Sequence, residues 1–359
     1  MTTTNPTEQA DLDKPETGMS EKLQAQLAEK LMEIIESVAS ARGVYYLDNP
    51  DQLPNPDNVP DIISSYATKN ALISGGVSLI PGPWGMVAAI PEISLLIHNQ
   101  LMMIYDIAMA HGKKSVLTKE LLVGVLISSM GMGATGLIIL HGGEFIVKRV
   151  ALRVMQQIVT LLAGKVTQQM LKAMISKWLP IVGAAAMATW ANYSTKQIGK
   201  KANALLQMNV KIIDADENDN APTTAVVEAA LPSPHETKPT VSGPNFTLLK
   251  VQGLIGLLKA DKIIHSEERG YIQTIIEKAQ LSPAEKDALT SQIDSDIKST
   301  VDFALYANDN DEVIGMLVDL VALAKRDGEF HFAEKMYIKQ AGKLMGLTES
   351  DIQDACSGA

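Results

Sequence analysis

Two long apolar runs, residues 71–97 and 121–140, limit what this chain of 359 residues can fold into more than any other feature. A short polar segment with Lys113, Lys114 and Lys119 joins them. The first run holds one ionisable residue, Glu92, before His98. The second, LLVGVLISSMGMGATGLIIL, holds none over its 20 residues, about enough to cross a bilayer as a helix. The same composition suits a helix buried on all sides in a soluble bundle. Ser128, Ser129, Gly131, Gly133 and Gly136 would let a second helix approach closely. A third stretch, residues 179–191, is too short to span alone.

Aromatic residues make up only 4 % of the chain, and no sustained alternation of apolar and polar residues is visible. The expected fold is therefore all-α, in two domains. The net charge of −10 is strongly segregated. Residues 1–61 carry 4 basic and 12 acidic side chains, residues 62–211 carry 14 and 4, and residues 212–359 carry 13 and 25. The apolar runs thus lie in the one basic region, an arrangement that anionic lipid headgroups favour. The expected partners are anionic membrane lipids or an inner-membrane protein, together with a protein partner. Nucleic acid is not expected, because the basic region lacks interleaved aromatics. Cys356 is the only cysteine, which fits a reducing compartment. The polar, acidic N-terminus lacks the pattern of a signal peptide, so the expected location is the cytoplasm or the cytoplasmic face of a bacterial inner membrane.

Four segments are expected. Residues 1–61 form an acidic, partly disordered segment, with disorder expected over residues 1–18, one helix from Ser20 to about Arg42, and then a proline-rich loop. Residues 62–211 form the apolar, basic domain. Within it, IPGPWG makes a turn, Pro91 starts a helix, and Glu92, Asn99 and Asp106 recur every seven residues as a polar seam. The stretch EFIVKRVALRVMQQIVTLLAGKVTQQMLKAMISKW reads as a basic amphipathic helix, which can pack on a core or lie in a membrane interface. Trp84, Lys148, Arg149 and Arg153 are the candidate membrane contacts. Residues 212–245 form a proline-rich acidic linker, and residues 246–359 a second helical domain. The stretch SLIPGPWGMVAAIPEISLLIHNQLMMIYDIAMAHG resembles the EcsC family of bacterial membrane-associated proteins, over about residues 62–205. That resemblance implies membrane association and no established chemistry.

The C-terminal part repeats itself at an offset of 66 residues. KADKIIHSEERGYI begins at Lys259 and KRDGEFHFAEKMYI at Lys325. Asp261 matches Asp327, His265 matches His331, Glu268 matches Glu334, and Leu281-Ser282 matches Leu347-Thr348. Each copy follows an apolar helix, so the unit is helix, acidic turn, helix. This pattern resembles the TerB-like family associated with tellurite resistance, an all-helical bundle with an Asp-Gly turn and a glutamate in the next helix. Lys262 stands where that family has the glycine in the first copy.

Asp261, Glu268, Asp327 and Glu334 are the candidate metal ligands, an oxygen set suited to calcium, magnesium or manganese. The alternative is helix capping, because a carboxylate in the first turn of a helix is favoured there. GMGATG has the letters of a dinucleotide fingerprint, but no strand precedes it. DADENDN lacks the glycine and glutamate of a calcium loop. No nucleophile–base arrangement stands out, and the chain is expected to be non-enzymatic. The expected role is a membrane-associated stress-response or envelope-protection scaffold of tellurite-resistance type. A bilayer-inserting effector and a soluble interaction module are the alternatives.

Overall fold

Helices dominate the chain, in line with its low aromatic content. The computed structural model describes residues 14–75, 83–132, 137–175, 179–214, 245–261, 264–279, 281–295, 301–307, 310–326 and 328–357. The linker expected over 212–245 falls mostly outside them. Two compact units form. One draws on 1–59, 80–171 and 201–231, the other on 60–79, 172–200 and 232–359.

In the first unit α1 (Lys14–Asp48) packs along α3 (Pro83–Ala110). Leu23, Leu27, Leu31, Ile35 and Val38 are buried at helical spacing along α1. The proline-rich segment after α1 makes two 3-10 turns, Pro50–Gln52 and Pro56–Asn58, before α2 (Val59–Gly75). Helix α3 starts earlier than expected. Pro83 takes the first turn, where its missing N–H costs nothing, and Pro91 lies inside the helix. The polar seam on α3 faces α1 at Asp106. Arg42 donates to both Asp106 oxygens, Nε to Oδ1 at 2.7 Å and Nη2 to Oδ2 at 2.6 Å, and the Tyr46 hydroxyl adds a bond of 2.8 Å.

The run 121–140 is not one helix. Helix α4 (Lys119–Ser129) is only 11 residues long, capped at its start by Thr118. It ends where Gly131 takes a φ of +74°, a conformation open to glycine. Residues 121–127 are all buried, so α4 is the central helix of the unit. The run then becomes a strand, β1 (Ile138–His141). Gly142 and Gly143, both with positive φ, turn it into β2 (Glu144–Arg149). The amphipathic helix expected from Glu144 therefore begins only at α5 (Leu152–Ile175), which buries Met155, Ile158, Val159, Leu162 and Val166. After α6 (Leu179–Gln207), β3 (Asn209–Asp214) joins β2 in parallel and completes a three-stranded sheet in the order β1-β2-β3. The fold class remains all-α with this small addition. Among the described residues, Ala89–Ala110 is the one stretch long and apolar enough to cross a membrane, and most of it is buried.

The second unit holds the C-terminal helices: α7 (Phe246–Leu258), α8 (Ser266–Lys278), α9 (Pro283–Asp294), α10 (Asn310–Ala324), α11 (Phe332–Leu344) and α12 (Glu349–Ser357). Their core includes Leu254, Ile255, Ile272, Leu317, Val321 and Ile338. Tyr193 of α6 belongs to the same core. Polar contacts fix that part of α6 to α12. Gln197 donates to Asp351 at 2.7 Å, and Lys200 pairs with Asp354. Asn70 of α2 donates to Thr195 of α6 at 2.9 Å, both side chains buried.

Candidate functional site

The 66-residue repeat is a repeat of three helices. Helices α7, α8 and α9 form one copy, and α10, α11 and α12 the other. Helices α7 and α10 are the buried first helices, apolar enough to be covered by the rest. Each ends in the matching lysine. Lys259 Nζ donates to the carbonyls of Gln292 and Ser295 at the end of α9, the latter at 2.6 Å. Lys325 Nζ donates to the carbonyl of Cys356 at the end of α12, also at 2.6 Å. A cation at the carbonyl end of a helix meets its unpaired acceptors and the negative end of its dipole. Both lysines head the matching sequence strings, which is the signal that marks them. Their carbonyl partners have no residue-type signature, and so were not foreseen.

Each acidic turn leads into a capped helix. His265 and His331 occupy the N-cap positions with extended backbone, at ψ of 144° and 152°. Glu268 accepts the His265 backbone N–H at 3.3 Å, and Glu334 accepts that of His331 at 2.9 Å. Both glutamates are buried. One oxygen of each is thus committed to the backbone, as in a capping box. Asp261 is half-buried in the first turn. Asp327 lies outside the described residues. Among the described residues no group of three or more His, Cys, Asp or Glu side chains is placed to hold a metal ion. The Cys356 thiol is pushed up by burial, against the pull of Lys325, and is a poor nucleophile.

Between the copies, α7 meets α10 through a buried ion pair. Lys250 Nζ lies 2.8 Å from Asp319 Oδ2. The Tyr271 ring of α8 is buried, with Arg326 4.4 Å above it, and among the described residues its hydroxyl has no hydrogen-bond partner. Burial, reinforced by Asp319, pushes that hydroxyl far above the ordinary tyrosine range. Its counterpart Tyr337 of α11 donates to the Gly253 carbonyl at 3.0 Å.

Residues 251–356 match the family model described as tellurite resistance protein TerB. The match covers both copies nearly end to end, so the C-terminal domain is of TerB type. No curated protein and no solved structure matches the chain.

The candidate membrane contacts lie in the first unit. Trp84 is in α3, and its side chain is outside the described residues. Lys148 and Arg149 are on β2 rather than a helix, and therefore point to opposite faces of the sheet. Arg153 is exposed in the first turn of α5. The strand register puts Ile139, Ile146 and Lys211 in one row and Lys148 beside Ile213 in the next, all on the same face. Phe145, Val147 and Val210 occupy the other face and are buried.

Proposed function

We propose that the chain is a non-enzymatic, membrane-associated scaffold of tellurite-resistance type, serving bacterial stress response or envelope protection from the cytoplasmic side of the inner membrane. Its TerB-type domain supports the stress-response part. The observation that carries the membrane part is the open face of the sheet in the first unit. Ile139 and Ile213 are exposed there beside Lys148 and Lys211; Leu152 and Arg153, at the start of α5, are exposed as well. Among the described residues, Glu144 pairs with Lys211 on that face, and Asp214 pairs with Arg149 on the other. Apolar side chains for the acyl boundary, ringed by lysine and arginine, suit an anionic lipid surface. The EcsC resemblance over residues 62–205 points the same way. A divalent cation on Asp261, Glu268, Asp327 and Glu334 belongs to this reading too.

Sedimentation of the full chain with vesicles tests it. The chain should pellet with phosphatidylglycerol-containing vesicles at about 50 mM salt, and not with phosphatidylcholine alone; at about 500 mM salt it should be released. Lys148→Glu with Arg153→Glu should abolish the binding. A chain that stays in the supernatant at low salt would be a soluble interaction module instead. Dye leakage from the vesicles would favour an inserting effector, with Ala89–Ala110 as the element long enough to span.

A further inference from the structure

The two copies of the TerB-type domain differ on one outer surface. Helix α11 exposes Phe332 by 78 % and Met336 by 48 %, one helical turn apart. Lys339 and Lys343 continue the same stripe, with exposed Lys335 beside it. The corresponding positions on α8 are Ser266, Gly270, Gln273, Glu277 and Arg269. One copy therefore builds the same helix, with the same capping glutamate, without an apolar pair on its outside. The fold does not require Phe332 and Met336 to be apolar, and exposing them has no benefit to stability. An apolar anchor pair followed by lysines is an asymmetric mark on an otherwise repeated unit.

We propose that this face of α11 docks a protein partner through an acidic amphipathic helix. Phe332 and Met336 would receive two aliphatic or aromatic side chains spaced i, i+4, and Lys335, Lys339 and Lys343 would receive the carboxylates that follow. Charge selects this occupant. Around the apolar pair the α11 stripe offers three lysines. Glu349 of α12 already bridges two of them, pairing with Lys339 and, at 3.0 Å, with Lys343. All three of these side chains are substantially exposed, so the bridge is weak and an incoming carboxylate can take the place of Glu349. A lipid surface is the poorer match: it would meet a broad face of a region, residues 212–359, that carries 25 acidic against 13 basic side chains, whereas a single helix meets only the lysine-bearing α11 stripe.

The test is selection of a random peptide display library on the immobilised full chain, counter-selected on Phe332→Ser. Serine is the residue the other copy has here, and the position is exposed, so the variant keeps its fold. Enriched peptides should be acidic, with apolar residues at i and i+4. Their affinity should fall at least about tenfold with Phe332→Ser or with Lys339→Glu/Lys343→Glu, and should weaken with salt. No enrichment, enrichment of neutral or basic sequences, or peptides indifferent to Phe332→Ser would overturn the proposal. So would concentration-dependent self-association, or binding to phosphatidylglycerol vesicles, that Phe332→Ser abolishes. The first would make a second copy the occupant, the second a membrane. Vesicle binding lost with Lys148→Glu and Arg153→Glu but kept in Phe332→Ser bears on the membrane reading alone.

Discussion

Helices α7 and α10 cross at equivalent points of the two copies, yet the two halves of that crossing are chemically opposite. In one direction Lys250 of α7 meets Asp319 of α10 in a buried ion pair. In the other, Met316 of α10, the counterpart of Lys250, lies over Gly253 of α7, the counterpart of Asp319. A Cβ on Gly253 would overlap the Met316 methyl. The same backbone geometry is filled once by charge and once by a flexible thioether against bare backbone. A repeated fold thus fixes where side chains meet and leaves open what they are, provided volume and polarity are balanced at each contact.

The largest expected effect comes from breaking that balance. Asp319→Asn leaves Lys250 charged and unpaired in the core, and should cost about 3–5 kcal/mol. Lys250→Met with Asp319→Gly copies the other half of the crossing and should recover most of that loss, short of about 1 kcal/mol that a glycine costs inside a helix. Urea unfolding of the full chain checks both, with Trp190 as a reporter because it packs against this core. If the double variant is as unstable as the single, the two halves are not interchangeable.

A second comparison concerns the tyrosines. Gly256 lets the Tyr337 hydroxyl reach α7, since a Cβ there would overlap it. Its counterpart is Ala322, which carries that Cβ, and the Tyr271 hydroxyl has no partner among the described residues. The missing methyl on one helix explains the bond, and its presence on the other explains the orphan. Gly256→Ala should therefore lose about 1–3 kcal/mol through overpacking, despite better helix propensity. Adding Tyr337→Phe should recover part of that loss by removing the clashing oxygen. Alone, Tyr337→Phe should cost about 1 kcal/mol, whereas Tyr271→Phe should be neutral or stabilising, because it removes an unsatisfied buried group. Equal losses at the two tyrosines would refute this account.

How much of this the sequence carried depends on the kind of residue. The repeat was legible because caps need particular side chains: His265 and Glu268 recur as His331 and Glu334. The third helix of each copy was legible only as Leu281-Ser282 against Leu347-Thr348, since Lys259 and Lys325 reach backbone carbonyls that any residue can supply. In the first unit the run 121–140 misled, because a buried helix and a strand in sequence are both apolar and uncharged. The break was still written there, in Gly131 and in the Gly142-Gly143 pair before EFIVKRV. The open sheet face could not be read without the register that aligns Ile139, Ile146 and Lys211.

A third prediction separates capping from cation binding in the two acidic turns. Glu268→Gln and Glu334→Gln should each cost about 1 kcal/mol or less, since each removes a first-turn charge but keeps an acceptor oxygen. A cation shared by these residues with Asp261 and Asp327 would add about 2.7 kcal/mol at a hundredfold excess over its dissociation constant. Melting curves with calcium, magnesium and manganese decide between them. A rise lost in Asp327→Asn establishes the shared site, while curves that none of the ions moves leave the glutamates as caps.

The smallest effect concerns the caps of the third helices, and it is read in pH. Ser282 closes a box with Glu285 at the start of α9, donating through its hydroxyl at 2.7 Å and its N–H at 2.8 Å. Thr348 does the same to Asp351 before α12, at 2.7 and 3.2 Å. Asp351 has additional partners, the Gln197 amide at 2.7 Å and the nearby charge of Lys200. Burial alone would raise the Asp351 pKa, but these donors outweigh it and hold the carboxyl below its ordinary value. A depressed carboxylate pKa means that the unfolded chain binds the proton first. The stabilisation from Asp351 is therefore complete above about pH 5, and is lost as pH falls below about 3.9 through the native pKa. The stability gap between the parent and Asp351→Asn should narrow over that acid range. Glu285 is held down by Ser282 alone, so Glu285→Gln should show a smaller gap with the same sign. Gln197→Ala should bring the Asp351 gap down toward the Glu285 one. A gap at Asp351 that ignores Gln197 would mean that the contact with α6 adds nothing to the cap, and that the two copies end their third helices in the same way.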